Sequence, residues 1–320
     1  MKALKVFIAI GAFVGLAVVA VSFASHSTVT TAIASGVASL FRNKEPITLT
    51  FAGDIMLDRY IREMNADSGY QNILKNISPL LDQSDFVVAN LEGPVTAYPS
   101  YSSGTLPAEP NNFVFTFSPS AVQTLSNAGV DAVSLGNNHI LNFGTDGLEQ
   151  TKKYLQEADL KYFGEPYTNS ILTQDINGIS VGFVAFNEFF PFNEEELVQS
   201  IENLSRTVDF VVVYTHWGSE YETTANAFQQ QLAHRFIDAG ADTVIGSHPH
   251  VIQNKELYKG KTIYYSLGNF IFDQYWKSTV RCGALVTLTI TPPNMSYTTD
   301  ESFTWLEKDG STATSTCGAF

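Results

Sequence analysis

From Ile47 onward the apolar positions alternate between short continuous runs and stretches with helical spacing. Ile47-Thr48-Leu49-Thr50-Phe51-Ala52 is a β-prone run ending in Gly53-Asp54, and Asp85 to Ala89 is a second, ending at Asn90-Leu91-Glu92-Gly93-Pro94. Ser118 to Ala128 opens on Ser-Pro and stops at Gly129, which is helix start and stop chemistry. Asp131 to Leu135 runs into Gly136-Asn137-Asn138-His139, and Gly147 to Ala158 reads as a helix. Ile171 to Phe186 predicts a hairpin turning at Asn177-Gly178, a dipeptide that tolerates the positive φ of tight turns. An acidic helix over Phe192–Arg206 follows, then a Val-rich strand from Asp209 to Thr215 that reaches His216-Trp217-Gly218. Ala225 to Ala239 is an amphipathic helix closed by Gly240, and Ala241 to Gly246 is a strand feeding Ser247-His248-Pro249-His250. Residues 253–258 and 261–267 flank Lys259-Gly260 as a second hairpin, and Gly283 to Ile290 supplies a late strand. Continuous apolar strands alternating with helices predict helix-covered sheets, and the hairpins predict mixed strands instead of a parallel barrel. An α/β body of two sheets between helices fits best, over residues 47–290, with 291–320 as a tail packed on or beside it.

The pattern before Ile47 differs. Lys2 and Lys5 precede nineteen uncharged residues, Val6 to Ala24, and no Asp, Glu, Lys or Arg occurs from Val6 to Phe41. About twenty apolar residues span a bilayer, whereas signal-peptide cores run about 7–15. The length favours a retained anchor over 1–24, while Ser22-Phe23-Ala24 offers a small-x-small cleavage pattern. In either case the lysines hold that end in the cytoplasm and place the remainder outside, on a cell membrane or secreted. Residues 25–46, rich in Ser, Thr and Ala, read as a linker.

Charge narrows the partners. The chain carries −14, and because Lys2, Lys5, Arg42 and Lys44 outweigh Glu45, the part beyond residue 45 carries −17. So acidic a body repels nucleic acid, and a polyanionic substrate would need a local positive centre such as a bound cation. Two cysteines, Cys282 and Cys317, without a CxxC pair argue against a thiolate zinc site. In an oxidising compartment they could form one disulfide tying down the tail, or stay as two unrelated thiols.

Five strand ends carry a polar cluster: Asp54; Asn90 and Glu92; Asn137, Asn138 and His139; His216; His248 and His250. Four of the six histidines fall there, beyond the carboxyl ends of strands, where open α/β sheets bind ligands. Singly, each has an ordinary reading: Asp54 as a helix cap, Asn90 as a turn residue, Glu92 as a loop acid, His216 as a packing histidine beside Trp217. His248-Pro249-His250 is harder to set aside, because an extended segment kept straight by proline projects both imidazoles to one side. His26 and His234 lack this context. Imidazole, carboxylate and amide oxygen without thiolate suit one or two divalent ions of the Zn, Mn or Fe kind.

The same residues resemble a known family. Gly53-Asp54-Ile55-Met56-Leu57-Asp58-Arg59, Asn90-Leu91-Glu92-Gly93-Pro94-Val95-Thr96, Gly136-Asn137-Asn138-His139 with Asp146-Gly147, His216-Trp217-Gly218-Ser219-Glu220-Tyr221, and the block from Gly240 through His250 to Asp273 occur in the order found in the CapA-type capsule, or poly-γ-glutamate, synthesis family. That family looks like an offshoot of the calcineurin-type metallophosphoesterases. The resemblance implies a four-layer α/β/β/α sandwich of the metallo-dependent phosphatase type. It implies metal ligation by Asp54, Glu92 with Asn90 nearby, Asn138, His216, His248 and His250, with His139 as the acid. Arg59 fits the family motif and could hold an anionic group, or pair with Asp58 or Asp85. Two positions depart from the phosphoesterase pattern: Met56 stands where a histidine is usual, and Ile140 where an acid follows Asn-His. Trp217, Glu220 and Tyr221 are expected along the same cleft, with Trp217 equally suited to the core.

The expected function is extracytoplasmic capsule or poly-γ-glutamate biosynthesis, with a metal site hydrolysing a phosphoester or processing a surface polymer. The alternative is a non-catalytic, membrane-anchored polymer-binding subunit of a synthesis and export complex. Expected partners are an anionic surface polymer or a phosphorylated small substrate, membrane-embedded capsule synthesis subunits, and the membrane itself through the N-terminal helix.

Overall fold

In the computed structural model, which describes residues 44–168 and 171–318, the apolar run at Ile47 becomes β1 (Ile47–Ile55), the hub of the first sheet. The anchor or signal segment expected at 1–24, and nearly all of the linker, lie outside the described residues. Among the described residues no helix is long and apolar enough to cross a membrane.

On one side of β1 run three parallel strands, β2 (Phe86–Leu91), β3 (Ala132–Ser134) and β4 (Lys161–Phe163). On the other side, later strands return antiparallel: β12 (Cys282–Thr291), β13 (Ser296–Leu306) and β14 (Thr312–Ser315). The second sheet is ordered β5 (Ile171–Ile176), β6 (Ile179–Asn187), β7 (Phe210–His216), β8 (Thr243–Ser247), β10 (Lys261–Tyr264), β9 (Lys255–Tyr258). Its centre is parallel, with a hairpin at each edge. The mixed two-sheet α/β body expected from the pattern is therefore present.

Period-two alternation decides the layers. Phe210, Val212 and Tyr214 of β7 face the first sheet and join Phe51, Val88 and Val286 in a core between the sheets. Val211 and Val213, on the opposite face, pack against Leu197, Ile201, Leu232 and Phe236 from α5 (Glu194–Ser205) and α6 (Ala227–Asp238). Val87, Ala89 and Val133 pack outward against α1 (Arg59–Asn65), α2 (Ser78–Leu81), α3 (Pro119–Asn127) and α4 (Gly144–Glu157). The central strands β2, β7 and β8 are thus buried on both faces, which is why these segments read as continuous apolar runs.

The segment after Thr291 contributes two strands of its own. β13 pairs with β12 from Cys282↔Trp305 to Thr291↔Ser296, extending the first sheet by two strands. Cys282 and Cys317 are disulfide-bonded, which secures that edge.

The sheets meet where backbone passes close to backbone. β1 also pairs with the short β11 (Asn269–Ile271), and Asp54 N–H donates to Gly268 O at 3.0 Å. A Cβ on Gly53 would lie 1.8 Å from Gly268 O, and one on Gly246 would lie 1.9 Å from Tyr265 O. Only glycine admits the 265–268 segment between the ends of β1 and β8.

Candidate metal centre

β1, β2, β3, β7 and β8 all release their carboxyl ends into one buried basin. Asp54 on β1 lies in register with Asn90 on β2, Asn90 with Ser134 on β3, and His216 on β7 with Ser247 on β8. Asp54, Glu92, Asn137, His216, His248 and His250 are each at most 4% exposed.

Two donor groups share one carboxylate. Asp54, Glu92 and His250 each offer an atom within 4.8 Å of the others, and so do Glu92, His216 and His248. In the first group His250 Nδ1 lies 3.3 Å from Asp54 Oδ2 and Nε2 3.6 Å from Glu92 Oε1. In the second His216 Nε2 lies 3.1 Å from His248 Nδ1 and 2.9 Å from Asn138 Oδ1. Donor atoms each roughly 2.0–2.1 Å from a common zinc-sized ion stand about 3–3.4 Å apart; the 2.9 and 3.1 Å spacings of the second group lie near this, and the 3.6 Å between His250 Nε2 and Glu92 Oε1 is slightly longer.

The residues also behave as a cation site electrostatically. Both carboxylate oxygens of Glu92 are buried and lack a hydrogen-bond partner. Burial first, then the nearby Asp54 and Glu220 charges, raise its carboxyl well above the ordinary value. Burying a carboxylate this fully is expensive even with the Arg59 charge nearby, and a cation between the carboxylates removes that cost. His216 Nδ1 is held between Ser247 Oγ at 3.1 Å, whose own hydrogen goes to Thr215 O at 2.8 Å, and Asn90 Nδ2 at 3.2 Å. Burial, the neighbouring imidazoles adding to it, holds His216 well below and His248 at about 3, so both rings present lone pairs at neutral pH.

Of the residues read as ligands, Asp54, Glu92, Asn138, His216, His248 and His250 converge here. Asn90 does not face the basin as a free donor. Its Nδ2 donates to Asp54 Oδ1 at 2.8 Å and its Oδ1 accepts from Asn137 Nδ2 at 3.1 Å, so it aims Asp54. The extended conformation predicted for 248–250 is also wrong: His248 has φ 96° and His250 φ 58°. The two rings converge through left-handed backbone, strain of the kind that collects at functional sites. His248 N–H donates to Asp54 Oδ2 at 3.1 Å, which holds that conformation against β1.

His139 sits at the edge of the basin, Nε2 3.9 Å from Glu92 Oε1, its ring against Phe115. Asn142 Nδ2 donates to Phe113 O at 2.8 Å and lies 3.2 Å from His139 Nδ1. The ring is thus held by the Asn142 amide and the Phe113 carbonyl, with Nε2 turned toward Glu92. Burial lowers the imidazolium to about 4, with His250 adding to it. Arg59 pairs with neither Asp58 nor Asp85. Its Nε donates to Asp273 Oδ2 at 3.0 Å, a second nitrogen pairs with Oδ1, and Nη1 donates to Asn112 at 3.1 Å. Its guanidinium lies over the Phe115 and Phe272 rings at 5.1 and 5.5 Å. Hydrogens remain on both terminal nitrogens, so Arg59 still offers donors to a cleft of about 600 Å³ that it lines with Tyr221, Asp273, Gln274 and Trp276.

The two departures are structural. Met56 is buried in the core beneath the helices, its sulfur accepting from Asp58 N–H at 3.1 Å, and Ile140 is buried there too. Trp217 belongs to the core, its Nε1 donating to Tyr265 O at 2.9 Å, whereas Tyr221 reaches the cleft. His234 is occupied outside the site, 2.8 Å from Glu256 and stacked on Tyr258. Sequence reasoning left out Ser247 and Asn269, which contact ligand imidazoles, and Phe189, whose ring lies 4.3 Å from that of His248. Ser247 and Asn269 stand within segments already singled out, one beside His248 and the other in the Tyr265–Asp273 block. Phe189 carries no such signal.

A family model described as bacterial capsule synthesis protein PGA_cap matches residues 48–274. The capsule biosynthesis protein CapA of Bacillus anthracis is 34% identical over 260 residues, 74% of this chain and 62% of that protein. The PGA biosynthesis protein CapA of Bacillus subtilis (strain 168) is 32% identical over 259 residues, 75% of this chain and 67% of that one. The chain thus spans less than two thirds of the first relative's length. Among solved structures, TT1561 of Thermus thermophilus is similar at a TM-score of 0.44 and 9% identity, over 80% of this chain and 98% of that one. With the model covering most of the chain and both Bacillus relatives above 30% identity, the chain belongs to the CapA-type bacterial capsule synthesis family PGA_cap.

Proposed function

We propose that the protein acts in capsule or poly-γ-glutamate biosynthesis as a metal-dependent hydrolase of the metallophosphoesterase type, with its domain outside the cytoplasm and held at the membrane by residues 1–24. The carrying observation is Glu92, buried, unpartnered and common to both donor groups. Asp54, Glu92 and His250 would hold one divalent ion, and Glu92, His216, His248 and Asn138 another. Such ions supply Lewis acidity and lower the pKa of water. The residues do the rest. His139 Nε2 is aimed at the space before Glu92, where it can protonate a leaving oxygen. Arg59, its charge shared with Asp273, orients substrate through its free hydrogens. Phe115, Phe189 and Phe272 crowd the imidazoles and limit water.

A second reading, a polymer-binding subunit without turnover, is favoured by Met56 and Ile140, since both usual polar groups are replaced by core side chains. The purified full chain distinguishes the two. Elemental analysis should find bound Zn, Mn or Fe, and a generic phosphodiester such as bis(p-nitrophenyl) phosphate should be cleaved. Glu92→Gln removes a shared ligand and should lower metal affinity by more than the roughly 10–100-fold lost with a partner behind a ligand. Metal-replete protein that binds poly-γ-glutamate without cleaving any phosphoester selects the subunit reading, and protein that retains no divalent ion removes both metal roles.

A further inference from the structure

We propose that Asn269 is a positioning residue for His250, fixing the tautomer that presents Nε2 to the centre, and that Gln274 and Tyr221 carry this constraint out to the cleft. The inference rests on the cation-binding reading above. His250 Nδ1 has two neighbours that can only accept: Asn269 Oδ1 at 3.0 Å and Asp54 Oδ2 at 3.3 Å. Nδ1 must then carry the proton, and the lone pair belongs to Nε2, which points at Glu92 Oε1.

The amide of Asn269 cannot be turned round to reverse this assignment. Its Nδ2 faces three acceptors: Val280 O at 2.9 Å, Gln274 Oε1 at 3.1 Å and His250 O at 3.3 Å. Flipping it would set Oδ1 against all of them. The amide is fully buried, and Val280 belongs to α7 (Ser278–Arg281), directly before the disulfide-bonded Cys282. Gln274 is itself directed: its Nε2 donates to the Tyr221 hydroxyl at 3.3 Å, and the Tyr221 ring lies 6.2 Å from that of His250. Tyr221 and Gln274 both line the cleft, so a group entering it meets the outer end of a relay that ends on a ligand. Partners of this kind, behind the ligand itself, typically change metal affinity about 10–100-fold when removed.

The test uses the full chain. Histidine ¹⁵N–¹H correlation spectra of metal-free protein should show His250 protonated on Nδ1. Zn²⁺ affinity, measured by chelator competition, should fall about 10–100-fold in Asn269→Leu. Asn269→Asp sets an oxygen against Val280 O and His250 O and so loses stability, but its carboxylate still accepts from Nδ1–H, so the folded variant should bind Zn²⁺ more tightly than Asn269→Leu. A residue that merely scaffolds through its donors would behave oppositely, since Asp offers none to Val280. Circular dichroism and urea unfolding in excess chelator confirm that each variant is folded. Equal weakening by Leu and Asp, or a His250 proton found on Nε2, overturns the proposal. Wild-type protein that binds no Zn²⁺ sinks the metal-centre reading instead, while the spectrum still judges Asn269 by itself.

Discussion

Asp58 shows how much one buried carboxylate organises. It accepts from Arg62 Nε at 2.7 Å, Ser100 Oγ at 2.9 Å, Ser102 Oγ at 2.8 Å and Thr116 N–H at 2.8 Å, pinning the 100–116 loop to the start of α1. Asp58→Ala leaves the half-buried Arg62 without its partner and should cost about 3–5 kcal/mol in urea unfolding. A loss below about 1 kcal/mol would mean that the loop finds other anchors. Sequence alone could not expose this role, because the four donors lie up to 58 residues from Asp58 and none is unusual in type. The ligand histidines were legible for the opposite reason. Imidazoles are few, and their positions at strand ends already implied a common rim. What the pattern left out was the function of amides, since Asn90, Asn138 and Asn269 differ in role only through which atom each turns toward its neighbour.

Helices with strong local signals were also read closely. α6 carries a capping box in which Asn226 accepts from Gln229 N–H and the Gln229 side chain returns to the Asn226 N–H, each at 2.9 Å. α5 begins on Asn193 with Glu194, Glu195 and Glu196 in its first turn, where carboxylates suit the helix dipole. Asn226→Ala should lower stability by about 1 kcal/mol, read as a shift of the urea midpoint at unchanged m-value. A change in m-value would point to a broader loss of structure. Elements lacking such signals escaped notice. α1 spans seven residues and has no side-chain cap, β11 has three residues, and β13 alternates mostly among Thr, Ser, Asp and Glu because its outer half is solvated. These owe their conformation to sheet pairing and tertiary packing.

At the scale of the whole molecule, the late strands close what the early strands begin. Cys282 and Cys317 bridge a separation of 35 residues, so removing the bond by Cys282→Ser with Cys317→Ser should cost about 4 kcal/mol on the loop-entropy estimate. Thermal unfolding of that variant against wild type checks this, and a Tm unchanged within error would show the β13 and β14 pairing to be sufficient alone. The acidic surface read from composition surrounds a basin in which imidazoles outnumber carboxylates, a contrast that average charge conceals. The glycine crossing at Gly53 and Gly246 has its own result. Because main chain touches main chain there, the distances separating the donor atoms are inherited from sheet geometry, whereas flexible loops would let them drift. Side chains at the rim can therefore be exchanged to suit another ion or another leaving group without rebuilding the frame that spaces them, whereas a single methyl at either glycine would pry the two halves of the donor set apart.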